Sequence, residues 1–355
     1  MTEQQASAPV PRGRYRVRSG SYTIGIRRQD ADSEVQVAEF VLGDAADCRV
    51  QVRIARAEGD WASASWTATI AQKDLPGLVE ASAKEPDLAT PGQDQLGGYF
   101  APRSDVFKGA PHPSDITQGL VGDCRVASAF QAVAACAAGP ELIQSLIASG
   151  EGVYEVTLVP TTGPKAMPAS SARATALTIS DFLPVTRHNR DPLYLLSGSP
   201  YGPSSQVPLW PAILEKAFAT MWGGYAALDG AEERPVLAAL GLGDFVHVNW
   251  MSDEETKPAA AKVRMLQMAK GGYAITTAAR AKRHNYAVLA VDGDGVLVAD
   301  PNTTRAGGAE KRWKSPATMK EAEKLPESTA FPLHFTWEAF FATFMWIYGA
   351  LPPKK

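Results

Sequence analysis

Between residues 12 and 70, apolar and polar positions alternate in five short runs, at 15–18, 22–26, 35–41, 48–54 and 61–70. A period of two places the apolar side chains on one face of a strand. Gly20, residues 30–32 and 44–47, and the pair Gly59 and Asp60 supply turns between the runs. Strands recurring roughly every 8–12 residues predict a small all-β sandwich or barrel-like module over residues 1–72. Trp61 and Trp66 read as its core, given the area an aromatic ring buries. Residues 73–98 mix polarity and carry Pro76, Pro86, Pro91, Gly97 and Gly98, the punctuation of a linker with at most one short helix.

The pattern changes at about residue 99. Residues 126–138 are apolar, Ala-rich and free of Pro and Gly, which predicts a buried helix. A second helix follows at 141–148, then a strand at 152–159. Residues 210–222 place Ile213, Leu214, Ala217, Phe218 and Met221 on one helical face, and Gly223 and Gly224 end that helix. From Asp244 onward strands dominate, at 245–250, 273–277, 286–291 and 295–300, with one helix at 259–268. A helix-rich half of about 99–240 therefore precedes a sheet-rich half of about 241–355, an α+β arrangement.

Composition narrows the class. At 355 residues, 45% hydrophobic and 21% charged, the chain is globular and long enough for two domains. A net charge of −3 gives no reason to expect nucleic acid or an anionic membrane as partner. Three cysteines, Cys48, Cys124 and Cys136, are too few and of the wrong parity for a disulfide framework and suit a reducing compartment. Residues 1–11 lack the apolar stretch of a signal peptide. Residues 331–351 come nearest to a membrane span but are interrupted by His334 and Glu338. The expected location is cytoplasmic, with non-classical export left open.

Chemistry concentrates at Cys124. It follows a Gly-punctuated polar turn and opens the first helix, with Gly122 or Asp123 near the N-cap. The free N–H groups and partial positive charge of a helix start favour the thiolate, the nucleophilic form. Gln118, six residues upstream, offers a side-chain amide that, with the Cys124 N–H, suits a developing oxyanion. The same pattern also fits a buried cysteine packed as a small hydrophobe.

A thiol nucleophile needs an imidazole partner, and there are five histidines. His112 and His188 lie in polar loops, His247 alternates with Val246 and Val248 in a strand and reads as partly buried, and His334 precedes the last helix. His284 opens the 284–291 strand, whose hairpin partner ends at Asp300. A hairpin of that length brings His284 and Asp300 together near the open ends of paired strands.

The run Pro113-Ser-Asp-Ile-Thr-Gln-Gly-Leu-Val-Gly-Asp-Cys124 resembles the nucleophile motif of the calpain family of papain-like cysteine proteases, Pro-Ser-Asp-Ile-x-Gln-Gly-x-Leu-Gly-Asp-Cys-Trp. Residues 210–230 resemble that family's Trp-x-x-Leu-Leu-Glu-Lys-Ala-Tyr-Ala helix with its Gly-Tyr-x-x-Leu-x-Gly ending, and 177–184 match a strand and turn of its core. Residues 335–344 resemble its closing Phe-x-x-Phe element. The resemblance implies a two-lobed core over 99–355, with Cys124 as nucleophile and Gln118 lining the oxyanion hole. The family's Gly-His-Ala-Tyr-x-Val strand matches Arg283 to Val288, which makes His284 the base and acid. Its position 160 residues after Cys124 is close to papain-like spacing. The family's Asn-Pro-Trp-Gly motif aligns with Asp300-Pro301-Asn302-Thr303, so Asp300 becomes the orienter of the imidazole, with Asn302 the alternative if the turn is displaced. Arg125 and Asn302 stand where the family has Trp, and Trp313 is a spatial candidate for the second of these.

The expected function is thus a cysteine endopeptidase acting on proteins or peptides through a Cys-His-Asp/Asn triad and a thioester acyl-enzyme. The alternatives are a catalytically silent peptide-binding scaffold and an acyl transferase of the transglutaminase kind. No cofactor is required. Calcium stays open as an activator: no EF-hand pattern occurs, and Asp229, Glu232 and Glu233 form an acidic stretch that also suits a solvated face. The N-terminal β module is a candidate for binding a protein partner.

Overall fold

The computed structural model describes residues 105–150, 153–180, 183–186, 193–195, 208–251, 257–280, 284–302 and 332–353, together with Pro86, Leu88, Ala89 and eight strands between residues 13 and 100. Each of the five alternating runs overlaps a strand. Strands β1 (Gly13–Arg16), β2 (Tyr22–Ile24), β3 (Arg27–Arg28), β4 (Ala38–Leu42), β5 (Asp47–Ile54), β6 (Ala64–Ala71) and β7 (Leu78–Val79) form a four-stranded antiparallel sheet, β2-β4-β5-β6, and a three-stranded one, β3-β1-β7. Trp61 and the side chain of Trp66 lie outside the described residues. Strand β8 (Leu96–Phe100) pairs with β12 (Leu183–Thr186), so the end of the expected linker runs as a strand alongside the core. Ala89 is buried, and its N–H donates to the Tyr194 hydroxyl at 3.1 Å.

Helix α1 (Cys124–Ala135) is buried from Val126 to Ala134. It stops earlier than the sequence predicts because Cys136 takes an extended conformation, its thiol donating to the Val133 carbonyl at 3.2 Å. Helix α2 (Gly139–Leu146) starts earlier than predicted, with Pro140 in its first turn, where a missing N–H leaves no bond unmade. Its expected last residues instead form β9 (Ile147–Gly150), which pairs with β10 (Val153–Leu158), and β10 pairs with β11 (Thr175–Ser180). Helix α3 (Trp210–Trp222) ends at Gly223, whose φ of +91° is left-handed. The predicted amphipathic helix is in fact buried all round from Trp210 to Ala219. That is possible because Lys216 donates to the Ser180 hydroxyl at 2.6 Å and to its carbonyl at 3.1 Å. Helix α4 (Glu233–Ala239) follows.

The second half is a six-stranded antiparallel sheet. Its order is β13 (Gly243–Asn249), β18 (Phe344–Leu351), β14 (Ala274–Ala279), β15 (Asn285–Val291), β16 (Gly295–Ala299) and β17 (Leu333–Thr336), with helices α5 (Pro258–Lys270) and α6 (Trp337–Thr343) packed on it. The helix expected after His334 is present as α6, set between β17 and β18. His247, expected partly buried, is exposed on β13, with its ring near Trp346 and Tyr348.

Two hydrophobic cores result. One gathers α1 to α4 around Phe130, Trp210 and Phe218; the other lies between the sheet and α5 and α6 around Met265, Phe340, Phe344 and Ile347. Helix α1 packs against β14 and β15 and so joins the helical part to the sheet. Among the described residues no single helix is long and apolar enough to cross a membrane; α1 and α2 pass that test only as a pair bent by 118°.

Candidate active site

The polar run before Cys124 is held at nearly every turn. Pro113–Asp115 forms a 3₁₀ turn capped by His112, which is exposed and accepts from Ser114 N–H. The Trp210 indole donates to Asp115 at 2.9 Å, and the Gln131 amide reaches back from α1 to the carbonyls of Pro113 and Ile116. The Leu120 N–H donates to the Leu193 carbonyl at 2.8 Å. Gly119 lies so close to that segment that a Cβ would stand 2.6 Å from Tyr194 Cα, which explains glycine there. These anchors deliver Cys124 to the first position of α1. Asp123, the N-cap, makes no side-chain cap bond, so the first N–H groups of the helix face the thiol unoccupied by it. Cys124 is partly exposed. Cys136 is buried, and burial pushes its thiol up to about 11, so that sulfur stays protonated.

His284 immediately precedes β15, and Asp300 immediately follows β16. Their hairpin turns on Asp292, whose carboxylate accepts from the N–H groups of Asp294 and Gly295. In the register, Ala287 faces Ala299, so the residues flanking the strand ends meet. His284 Nε2 lies 2.7 Å from Asp300 Oδ1, and Cys124 lies close enough to the same ring to act on its protonation. With Nε2 taken, Nδ1 is the nitrogen left for sulfur. Burial alone would push the imidazole down. Hydrogen bonding to Asp300, the nearness of Cys124 and the attraction of both groups outweigh it, raising the ring to about 9. The ring stands edge-on to Tyr286, with centroids 4.9 Å apart. Burial raises the Tyr286 phenol, and the neighbouring Asp300 and Cys124 charges add to this.

Of the two candidates for the third position, Asp300 meets the imidazole. Asn302 is exposed, and its backbone N–H donates to the same Asp300 oxygen at 2.8 Å. Gln118 is tied to this loop, its backbone N–H donating to the Pro301 carbonyl at 2.7 Å. Its side-chain Nε2 donates to the Val121 carbonyl at 2.7 Å, which leaves one amide hydrogen, and its Oε1 is buried without a partner among the described residues. His188 and Trp313 lie outside the described residues.

Two groups beside the site escaped the sequence reading. Asp123 and Glu215 are both buried, and Glu215 Oε2 accepts from Leu195 N–H at 2.9 Å. Burial raises Asp123 to about 7 and raises Glu215 well above the ordinary carboxylate range, the neighbouring Asp123 charge adding to it. Asp123 Oδ1 and Oδ2 and Glu215 Oε1 have no hydrogen-bond partner among the described residues. The second group is Arg125, Glu233 and Asn285. Arg125 Nε lies 3.4 Å from both Asn285 Oδ1 and Glu233 Oε1, Arg125 Nη1 donates to the Ala231 carbonyl at 3.2 Å, and Asn285 Nδ2 donates to Glu233. Glu233, expected in an acidic solvated stretch, is thus buried and partnered. A carboxylate inside the apolar pattern of α3 was the one available signal for Glu215; nothing in the sequence pairs positions 125 and 285. Among the described residues no group of three or more His, Cys, Asp and Glu side chains is arranged to hold a metal ion.

A partly exposed thiol at a helix start, beside an imidazole that a buried carboxylate holds, is the arrangement of a cysteine protease domain. Residues 100–296, more than half of the chain, match the model of the calpain family cysteine proteases, and the chain belongs to that family. It is similar to "Calpain-type cysteine protease ADL1" of Oryza sativa subsp. japonica, 29% identical over 135 residues, and to "Calpain-type cysteine protease DEK1" of Zea mays, 28% identical over 135 residues. Each match covers 38% of this chain and 6% of the relative's length.

Proposed function

We propose that the protein is a cysteine endopeptidase that hydrolyses peptide bonds of protein substrates. The observation that carries this reading is the His284–Asp300 pair, bonded at 2.7 Å, with the partly exposed Cys124 acting on the same ring. The Cys124 thiolate attacks the scissile carbonyl carbon. As the C–S bond forms, the carbonyl electron pair moves to oxygen, where the Cys124 N–H and the remaining Gln118 amide hydrogen receive it. The His284 imidazolium gives its Nδ1 proton to the leaving amine, the C–N bond breaks and a thioester remains. His284, now neutral, takes a proton from water; the hydroxide adds to the thioester carbonyl, and Cys124 leaves as thiolate. Asp300 keeps Nδ1 turned towards sulfur and stabilises the ring's positive charge.

No step requires a cofactor, and calcium enters the proposal only as an activator. The core extends over 99–355 in two lobes. The 1–72 β module, joined by the 73–98 segment, is the part proposed to bind a protein partner, and the compartment is the cytoplasm.

The test is hydrolysis of an unfolded protein substrate, with and without calcium, by wild type and Cys124→Ala. Cleavage by wild type alone is expected, and cleavage surviving the substitution ends the reading. The second reading is a silent peptide-binding scaffold, favoured by Arg125 and Asn302 at positions the family fills with Trp. It requires saturable peptide binding with no cleavage under either condition.

A further inference from the structure

We propose that Arg125, Glu233 and Asn285 form a polar clamp that sets the spacing of Cys124 and His284, and that all three are positioning residues. The inference rests on reading Cys124 and His284 as the reacting pair, and it goes beyond that pair to what fixes their separation. Arg125 is the residue after Cys124, and Asn285 is the residue after His284. Arg125 Nε meets Asn285 Oδ1 at 3.4 Å across 160 residues of sequence. Glu233 closes the triangle, meeting Arg125 Nε and accepting from Asn285 Nδ2. The three side chains come from three different elements: α1, the start of α4 and the start of β15. Arg125 also binds the Ala231 carbonyl just ahead of α4.

Consecutive Cα atoms are about 3.8 Å apart and rigidly linked, so a shift of position 125 or 285 is passed to the sulfur or the ring almost undiminished. A misplacement of about 1 Å between reacting groups lowers a rate by about 10²-fold. Asn285 is 1% exposed and Glu233 6%. A buried carboxylate cannot drift from its cation and amide without stranding charge in an apolar surround. Directional bonds therefore hold the two reactive residues in register. An apolar contact of equal area would join the same elements without fixing their spacing.

The test is the rate at which iodoacetamide alkylates Cys124, followed by mass spectrometry of its peptide from pH 4.5 to 9.5, with the thermal midpoint measured alongside. Alkylation needs no peptide cleavage, so the clamp is tested whether or not the protein hydrolyses substrate. The variants are the double substitution Arg125→Met with Glu233→Gln, which leaves no unpaired charge and retains an acceptor for Asn285, and Arg125→Lys, which retains the charge but not the fork. In wild type Cys124 should be alkylated faster at pH 6 than free cysteine under the same conditions. In both variants the rate at pH 6 should fall roughly tenfold, with equal rates at pH 9.5. Arg125→Lys should do so with its midpoint nearly held. A wild-type profile in both variants, whatever their midpoints, overturns the clamp. A wild-type rate at pH 6 no faster than that of free cysteine instead overturns the thiolate–imidazolium reading of Cys124 and His284.

Discussion

The ring of His284 and the carboxylate of Asp300 meet at 2.7 Å, and the oxygen that receives the ring also accepts the Asn302 backbone N–H at 2.8 Å. The second bond fixes the carboxylate before the imidazole arrives, so the ring's orientation is set by the backbone turn after β16. The Gln118 loop is hung from the same turn through the Pro301 carbonyl. One short loop thereby orients both the base and the amide opposite it.

Replacing Asp300 by Asn tests this loop electrostatically. The side chain keeps its size and an acceptor but loses the charge that helps raise His284 from 6.5 to about 9. The basic limb of kcat/KM, which reports loss of the imidazolium, should move down from about 9. Because the folded pKa of His284 is raised, its contribution to stability is complete below about 6.5 and is lost as pH climbs towards 9. The wild-type thermal midpoint should therefore fall more steeply than the variant's across that window. Asp300→Ala, which loses the acceptor as well, should lower kcat/KM by ~10²-fold. Identical pH–rate profiles for wild type and Asp300→Asn would remove Asp300 from the role.

Glu215→Gln should stabilise the protein, but only above acidic pH. The Asp123–Glu215 pair keeps a proton in the fold that the unfolded chain releases, since burial raises Asp123 from 3.8 to about 7. For carboxyl groups raised in this way, stability falls as pH rises through that interval. An amide at position 215 donates to Asp123 and still accepts from Leu195, so nothing has to be protonated. Thermal midpoints of the two proteins should coincide near pH 4 and separate by about 2–4 °C in the variant's favour at pH 8. A constant difference at both pH values would mean that the pair keeps no proton in the fold.

Gly119→Ala should unfold more easily than wild type, by about 1–3 kcal/mol from urea midpoints. The added methyl meets the backbone at Tyr194 rather than a movable side chain, so the Cys124 loop must retreat. The same variant should lose alkylation rate at Cys124, because that loop positions the start of α1. A stability equal to wild type would show that the loop stands further from 193–194.

The parts of this fold that could be read in the sequence are those carried by local pattern. An Ala-rich run after a Gly-rich polar turn marks α1 and leaves Cys124 at its mouth. Two apolar runs separated by Asp292 to Gly295 mark the hairpin that joins His284 to Asp300. Strand β18 was hidden because Trp337, Phe340, Phe341 and Phe344 continue the helical spacing that marks α6, and the strand's own burial mixes buried and half-buried residues on both faces without alternation. Glu215 and Lys216 misled for a related reason. Charges inside a helix pattern read as a wet face unless their partners, Asp123 and Ser180, are already known. The meeting of Arg125 with Asn285 is a property of the tertiary fold alone.

Strand β18 lies between β13 and β14, so residues 344–351 join the edge strand β13 to the rest of the sheet beside His284. During synthesis, a ribosome that has released β13 and β14 has yet to release the strand between them. Until it emerges, β14 and β15 present an open edge, and β13 has no place in the sheet. The stretch that carries the family match, 100–296, stops short of this strand. Excised at those bounds, it would keep Cys124 and His284 but lose Asp300, β17, β18 and most of β16, stripping β14 and β15 of their neighbours on both sides and exposing the hydrophobic faces that Phe344 and Ile347 normally fill.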